Sequence, residues 1–351
     1  MDFFAKNLQK WYKINKRDLP WRQISDPYKI WLSEIILQQT QVVQGLSYYK
    51  KFVKTYPTVA HLAKAPADEV MKLWQGLGYY SRARNLHETA KIIVKEHNGL
   101  FPKTHEQIRN LKGVGDYTAA AIASFAYNLP HAVVDGNVYR VLSRVFGIEL
   151  PIDTTEGKKY FSQLAKELLP KTNVAEYNQA IMEFGALYCR PANPDCESCI
   201  FSNRCFAFQK KQVQVLPVKS KKVKVSNRYF NYIVFTHKSN TYIRKRTGKD
   251  IWQGLFEFVL IETSQKAKPQ QILKHAIFKE TTKDISFSVS KISTEYKHVL
   301  SHQNLHAIFY WIELSKPITD KSLKKVKLNA IDAFATPRLI EKHLKDENIL
   351  K

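Results

Sequence analysis

All four cysteines of the 351-residue chain lie within one stretch, "ALYCRPANPDCESCIFSNRCF", as Cys189, Cys196, Cys199 and Cys205. The spacing C-x6-C-x2-C-x5-C is interrupted by Pro191, Asn193, Pro194 and Asp195, which break helix and let a loop wrap back on itself. Two disulfides fit the count, but the N-terminus reads as an amphipathic helix and a basic turn, without a signal-peptide pattern. A cytosolic chain keeps its thiols reduced, so four converging cysteines suggest a metal centre instead. Tetrahedral zinc and an iron–sulfur cluster both take four thiolates, and residue type does not separate them.

Two carboxylates stand in contrasting contexts. In "DPYKIWLSEIILQQTQV", Asp26 is a plausible N-cap and Pro27 fits the first helical position. Glu34 is then the one charge between Ile30 and Leu37, so its carboxyl should be desolvated and its pKa raised, as a general acid requires. In "HAVVDGNVYRVLSRVF", Asp135 follows an apolar run and precedes a helical one. As an N-cap it would accept backbone N–H bonds and feel the helix dipole, both favouring the ionised form. The expectation is therefore Glu34 up and Asp135 down, a division suited to cleaving a glycosidic bond. Blander readings stand beside it: Asp135 as a structural cap, and Glu34 at the exposed edge of a buried helix.

The elements that must hold these groups are helical. In "IRNLKGVGDYTAAAIASFAY", residues 105–111 and 116–127 read as helices about Gly113-Val114-Gly115. Glycines there permit a tight reversal that leaves the second helix's N–H groups free for a DNA phosphate; a plain helical hairpin is the alternative. The charge agrees with a polyanionic partner: 55 Lys plus Arg against 31 Asp plus Glu, a formal +24 and a pI near 9.7. A Lys-rich compositional bias would give the same balance. No apolar run reaches 18 residues, so no transmembrane helix is expected.

These segments resemble a known family. The cysteine spacing is similar to the [4Fe-4S] loop of the endonuclease III branch of the helix-hairpin-helix DNA glycosylases, where the cluster follows the catalytic domain and is a scaffold or DNA-facing element. "LKGVGDYTAAAIA" matches the hairpin pattern over its length. "LSEIILQQTQV" and "VVDGNVYRVLSR" resemble the adenine DNA glycosylases of the MutY type. The resemblance implies that Glu34 protonates adenine at N7, that Asp135 stabilises the oxocarbenium ion, and that Tyr117 and Asn137 support the sugar chemistry. Lyase relatives carry a lysine where this chain has Tyr117, which favours a monofunctional hydrolase over an oxidised-pyrimidine glycosylase/lyase. A non-catalytic DNA-binding protein of the same fold is the other rival. The resemblance further assigns Arg17, Trp21, Arg22 and Gln179 to the adenine pocket, with a core anchor as the competing reading for Trp21. It assigns Gln39 and Thr40 to the gap beside the estranged base, Leu37 to the DNA contacts, Tyr79 to a wedge in the base stack, and Gly113 and Gly115 to the phosphate contact. Tyr80 is read as packing.

After "QKKQVQVLPVKSKKVKVSNR", seven basic residues and no acidic ones, the pattern turns to alternating β-branched and aromatic residues with a helix at "KPQQILKHAIFKETT". This half resembles the MutT-like, Nudix-related domain of the same family. Of a Nudix glutamate set, only Glu280 is present between His275 and Thr282, so no pyrophosphohydrolase activity is expected. "HVLSHQNLH" resembles the hairpin that reads 8-oxoguanine, with Ser301 and His302 as its contacts and Leu300 in place of the usual Phe.

The expected architecture is multidomain. An all-α helix-hairpin-helix glycosylase domain spans 1–210, with a six-helix barrel at 21–127 and the [4Fe-4S] subdomain formed by 1–20 and 128–210. A basic linker follows at 211–226 and an α+β Nudix-like domain at 227–345. The expected function is hydrolytic removal of adenine mispaired with 8-oxoguanine or guanine in duplex DNA, by a cytoplasmic, bacterial-type monomer without a membrane partner.

Overall fold

A computed structural model describes residues 2–220 and 225–350, the side chain of Asp2 excepted; Lys221–Lys224 of the expected linker lie outside the described residues. The chain divides into two compact units, one made of Met1–Lys64 and Asn85–Lys221, the other of Ala65–Arg84 and Lys222–Lys351. The short segment 65–84, expected inside the helical barrel, thus packs with the C-terminal residues.

The first unit is helical. Helices α1 (Asp2–Asn15), α2 (Pro27–Leu37), α3 (Val42–Thr55) and α4 (Val59–Lys64) precede the inserted segment. That segment holds α5 (Ala67–Trp74) and the first turn of α6 (Ser81–Glu96). Then come α7 (His105–Arg109), α8 (Asp116–Tyr127), α9 (Gly136–Phe146), α10 (Thr155–Glu167), α11 (Val174–Leu187) and α12 (Phe206–Gln209). Asp26 caps α2, its Oδ1 accepting from the N–H groups of Tyr28 and Lys29 at 3.0 and 3.3 Å, with Pro27 in the first turn. A helix this apolar is buried nearly all round, with every residue from Ile30 to Ile36 inside. Helices α1, α9, α10 and α11 share a core of Leu8, Trp11, Val141, Leu142, Phe161 and Phe184. The loop after α11 closes on it through Phe201 and Cys205.

The second unit is α+β, as its alternating sequence predicts. The strands are β1 (Ser226–His237), β2 (Asn240–Lys245), β3 (Phe256–Glu257), β4 (Val259–Thr263), β5 (Phe287–Ile292), β6 (Tyr296–Val299), β7 (Gln303–Leu314) and β8 (Lys324–Lys327). At the centre β1 runs parallel to β7, with Tyr232 opposite Phe309, and the other pairings are antiparallel. Ile233, Phe235, Tyr310 and Ile312 carry one face into a core. The single helix expected over 268–282 is two short ones, α13 (Pro269–Leu273) and α14 (Ala276–Thr281). The break is His275, which takes extended backbone angles and accepts the Ile277 N–H on its Nδ1. Helix α15 (Arg338–Asp346) closes the unit, laying His343 flat on Phe309 with ring centroids 3.7 Å apart.

Candidate active site

Three helices of the first unit deliver Glu34, Tyr117 and Asp135 to one cleft. Glu34 lies in the last turns of α2 and is only 7% exposed. Burial pushes its carboxyl up to about 7; the negative charge of Asp135 adds to the rise, against the hydrogen bond from Tyr117 and the charge of Arg22. That bond, from the Tyr117 hydroxyl to Glu34 Oε2, is 2.8 Å long. Tyr117 sits in the first turn of α8 because the reversal before it is tight. Gly113 has φ +78, and a Cβ there would meet the Asn85 side chain at 2.8 Å. Gly115 then caps α8 in an extended conformation, with open space beside it and no side-chain bond to the first-turn N–H groups.

Asp135 is the N-cap of α9. Its Oδ1 accepts the N–H groups of Asn137 and Val138 at 2.9 and 2.8 Å, and its Oδ2 accepts Asn137 Nδ2 at 2.8 Å. Its pKa direction corrects the sequence expectation. Burial raises it, outweighing the hydrogen bonds from Val138 and Asn137 and the charge of Arg140. A cap on an exposed helix would be depressed; this one lies at the foot of a cleft, and desolvation is the larger effect. Three hydrogen bonds nonetheless favour its anion, whereas Glu34 has one such bond from Tyr117.

The cleft, about 180 Å³, brings Glu34, Tyr117, Asp135 and Asn137 together with Arg17, Trp21, Arg22, Leu37, Thr40 and Gln179. Trp21 has both roles weighed for it: it lines the cleft, yet its ring is buried edge-on against Tyr49 at 5.0 Å. Gln179 Oε1 accepts the Tyr12 hydroxyl at 2.7 Å. Gln39 does not line the cleft; it is exposed just beyond α2 with φ +55.

Two residues that the sequence reading passed over organise this wall. Glu183 on α11 is fully buried and bonded by both Arg17 (2.8 and 2.6 Å) and Arg22 (2.8 Å at Oε1). Burial alone would raise its pKa, but the two guanidinium groups outweigh that and hold it at about 2. The available signal was the same as for Glu34, a lone carboxylate among the apolar residues of "AIMEFGAL". Arg140 on α9 donates to Asn137 Oδ1 at 2.9 Å, to Gly185 O at 2.6 Å and to Cys189 O at 2.8 Å. It thereby connects the cap of α9 to the start of the cysteine loop. Where α9 and α11 meet, a Cβ on Gly185 would lie 2.7 Å from Asn137 Cβ.

All four cysteines face one void with Arg144, Phe184 and Phe201. Arg144 Nη1 lies 3.5 Å from Cys189 Sγ, and the Phe201 N–H donates to Cys199 Sγ at 3.4 Å. Burial raises the thiol pKa values of Cys196, Cys199 and Cys205, that of Cys199 to about 12.

In the second unit, Tyr79, Ser301 and His302 line a cavity of about 520 Å³ with Arg84, Trp252 and Leu300. Tyr79 is 50% exposed, and its hydroxyl shares a 2.6 Å hydrogen bond with Ser301 Oγ. Tyr80 is buried, its hydroxyl accepting the Gly76 N–H, which fits its reading as packing. Glu280 is exposed on α14.

Residues 32–171 match the HhH-GPD superfamily base excision DNA repair proteins, and residues 231–346 match the NUDIX domain. Over 321 residues the chain is 35% identical to the adenine DNA glycosylase of Buchnera aphidicola subsp. Baizongia pistaciae (strain Bp), covering 89% of this chain and 87% of that protein. It is 43% identical over 218 residues to the adenine DNA glycosylase of Mus musculus, covering 60% of this chain and 42% of that one. Among solved structures, a thermostable thymine-DNA glycosylase shares 32% identity at a TM-score of 0.56, covering 60% of this chain and 96% of its own. An endonuclease III bound non-covalently to DNA shares the fold at a TM-score of 0.53 and 20% identity, covering 60% of this chain and 95% of its own. With a helical repair unit, a NUDIX-type unit and sequence identity running through both, the chain belongs to the adenine DNA glycosylases of base excision repair.

Proposed function

We propose that this enzyme hydrolyses the N-glycosidic bond of adenine mispaired with 8-oxoguanine or guanine in duplex DNA, with Glu34 as general acid and Asp135 as the anion facing the sugar. The observation that carries this reading is the buried Glu34, bonded to Tyr117 and sharing one cleft with the capped Asp135. Glu34 gives its proton to adenine as the C1′–N9 bond breaks and its electron pair leaves with the base. Asp135 balances the cation left on the sugar. Water adds to C1′ and its proton passes to the Glu34 carboxylate, restoring the acid. No amine stands at position 117 to form a Schiff base, which supports hydrolysis without strand cleavage. The Arg17 and Arg22 pair on Glu183 gives the cleft fixed donors for the base edge. Gly113 and Gly115 suit a backbone contact to phosphate, Gln39 and Thr40 suit filling the space that an expelled base vacates, and Leu37 suits a DNA contact; in the second unit, Tyr79 suits a wedge in the base stack. Ser301 and His302 suit contacts to 8-oxoguanine.

Cys189, Cys196, Cys199 and Cys205 fit a [4Fe-4S] cluster. Among the described residues no three His, Cys, Asp or Glu side chains come together as ligands of one ion. A zinc ion would need its sulfurs about 2.3 Å from a single point. Four thiols around one apolar void, with N–H donors aimed at two sulfurs, suit a centre whose positive charge replaces the protons that burial otherwise retains. When bound, the cluster would supply a rigid brace for the loop and no part of the hydrolysis. No helix among the described residues is long and apolar enough to cross a membrane; the bacterial relative supports action on DNA in a cytoplasm.

The deciding experiment is Glu34→Gln assayed on a duplex with one A·8-oxoguanine pair. Duplex binding should persist while adenine excision falls by about a thousandfold or more, within the range that a positioned acid and its site contribute. Retained excision would overturn the acid assignment.

A further inference from the structure

The loop carrying Tyr79 and the hairpin carrying Ser301 are 222 positions apart in sequence, yet they form two walls of one cavity. A third wall is the loop before β3, where Asp250, Ile251 and Trp252 line the same space and Trp252 faces His298 of β6 at 5.8 Å. Four contacts tie the 65–84 segment to the rest of the second unit. Arg84, at the start of α6, donates to Gln253 O at 2.6 Å. Asp68 on α5 pairs with Lys245 on β2. Lys72 pairs with Asp332 at 3.0 Å. Tyr79 closes the set on Ser301. Neither ion pair touches the cavity.

We propose that these contacts make the Tyr79 loop and the Ser301 hairpin a single preassembled reader, so that preference for the base opposite adenine depends on Arg84, Asp68 and Lys245 as positioning residues. The inference rests on the reading of Tyr79 as wedge and Ser301 as the 8-oxoguanine contact, and adds what holds them in register. Preassembly matters because two contacts that must find one base act with high effective concentration when already oriented. Arg84 is the strongest of the ties, since a charged donor to a half-buried carbonyl is costly to lose. The ion pairs are exposed and weaker singly.

The test is single-turnover adenine excision at saturating enzyme, opposite 8-oxoguanine and opposite guanine, read as the ratio of the two rates. Saturation removes the general effect of a changed surface charge on duplex affinity. Arg84→Met, which keeps the stem and loses the donor, should lower the ratio about tenfold. Asp68→Lys and Lys245→Asp should each lower it about threefold by setting like charges together, and the double swap should restore it. The rate opposite guanine should stay unchanged in the swap variants. Ser301→Ala is the reference: if it leaves the ratio unaltered, the hairpin reading itself falls. If Ser301→Ala lowers the ratio while Arg84→Met and both single swaps do not, or the double swap fails to rescue, the coupling is wrong and the hairpin reading stands.

Discussion

At Glu34 the proposed chemistry depends on one proton. Its carboxyl, ordinarily near 4.5, is held at about 7 by burial. If it is the acid, single-turnover excision should decline as pH rises through about 7, a limb that Glu34→Gln would lack because it is already inactive. The same shift has a stability counterpart. The folded pKa lies above the unfolded one, so the stability tied to neutral Glu34 is complete below about 4.5 and is lost as pH climbs through about 7. At about 1.4 kcal/mol per pH unit the loss can reach about 3 kcal/mol at pH 8. Glu34→Gln should therefore unfold at higher temperature than the parent at pH 8 and at a similar temperature at pH 4.5. A parent-like melting profile across that range would show that Glu34 is not desolvated. Asp135 shows the limit of reading pKa from position: the cap was visible in "VVDGN", its depth in the cleft was not. The two acids part company through hydrogen bonding, three donors on Asp135 against one on Glu34, with both shifted in the same direction.

At the scale of elements, α11 and the turn after α1 are joined through one carboxylate. Glu183 carries two guanidinium groups, Arg22 mostly buried and Arg17 about a third exposed. Removing it by Glu183→Ala leaves two adjacent cations without their shared anion, which should cost about 3 kcal/mol, measured by urea denaturation at pH 7. Because the Glu183 pKa is depressed, this contribution is present above about 4.5 and fades as pH falls toward about 2, so parent and variant should converge in acid. A constant gap down to that pH would place the stabilisation in packing instead. Most elements around the site were legible in the sequence. The capped α2, the glycine reversal before α8 and the Asp135 cap all follow from local rules that act within a few residues. Glu183 and Arg140 escaped because key partners are distant in sequence, Arg17 166 positions from Glu183 and Gly185 45 from Arg140. The split at His275 escaped because a helical pattern outweighed one extended residue.

For the molecule as a whole, the strong positive charge, +24, should make duplex affinity fall steeply with salt, in proportion to the phosphates neutralised. The cysteine loop tests whether that surface is held by a cluster. Its thiols lie on the core shared by α1, α9 and α11, with Cys205 itself in that core and Arg144 bonded to the carbonyls of Arg190 and Pro191. Cys199→Ala should abolish the visible absorbance of an iron–sulfur centre in the purified protein and lower duplex affinity. A protein with full affinity, bound iron below one atom per chain and an unchanged spectrum would remove the cluster from the proposal. The division into two units was less legible than their contents. Composition announces the change from helix to strand after Phe208, but the segment 65–84 looks like more of the same helical run. Only packing places it with the C-terminal residues.

The narrow passage where α11 crosses α9 reaches beyond geometry. Position 185 does not line the cleft and bears no functional group, yet the backbone and side chain of Asn137 occupy the space any larger residue would need. A clinician or geneticist scanning variants of such an enzyme for defects would have little chemical reason to suspect a glycine-to-alanine change there. The crowding says such an allele should behave like a lesion in the reaction centre itself, leaving cells that accumulate uncorrected adenines although every reactive side chain is intact.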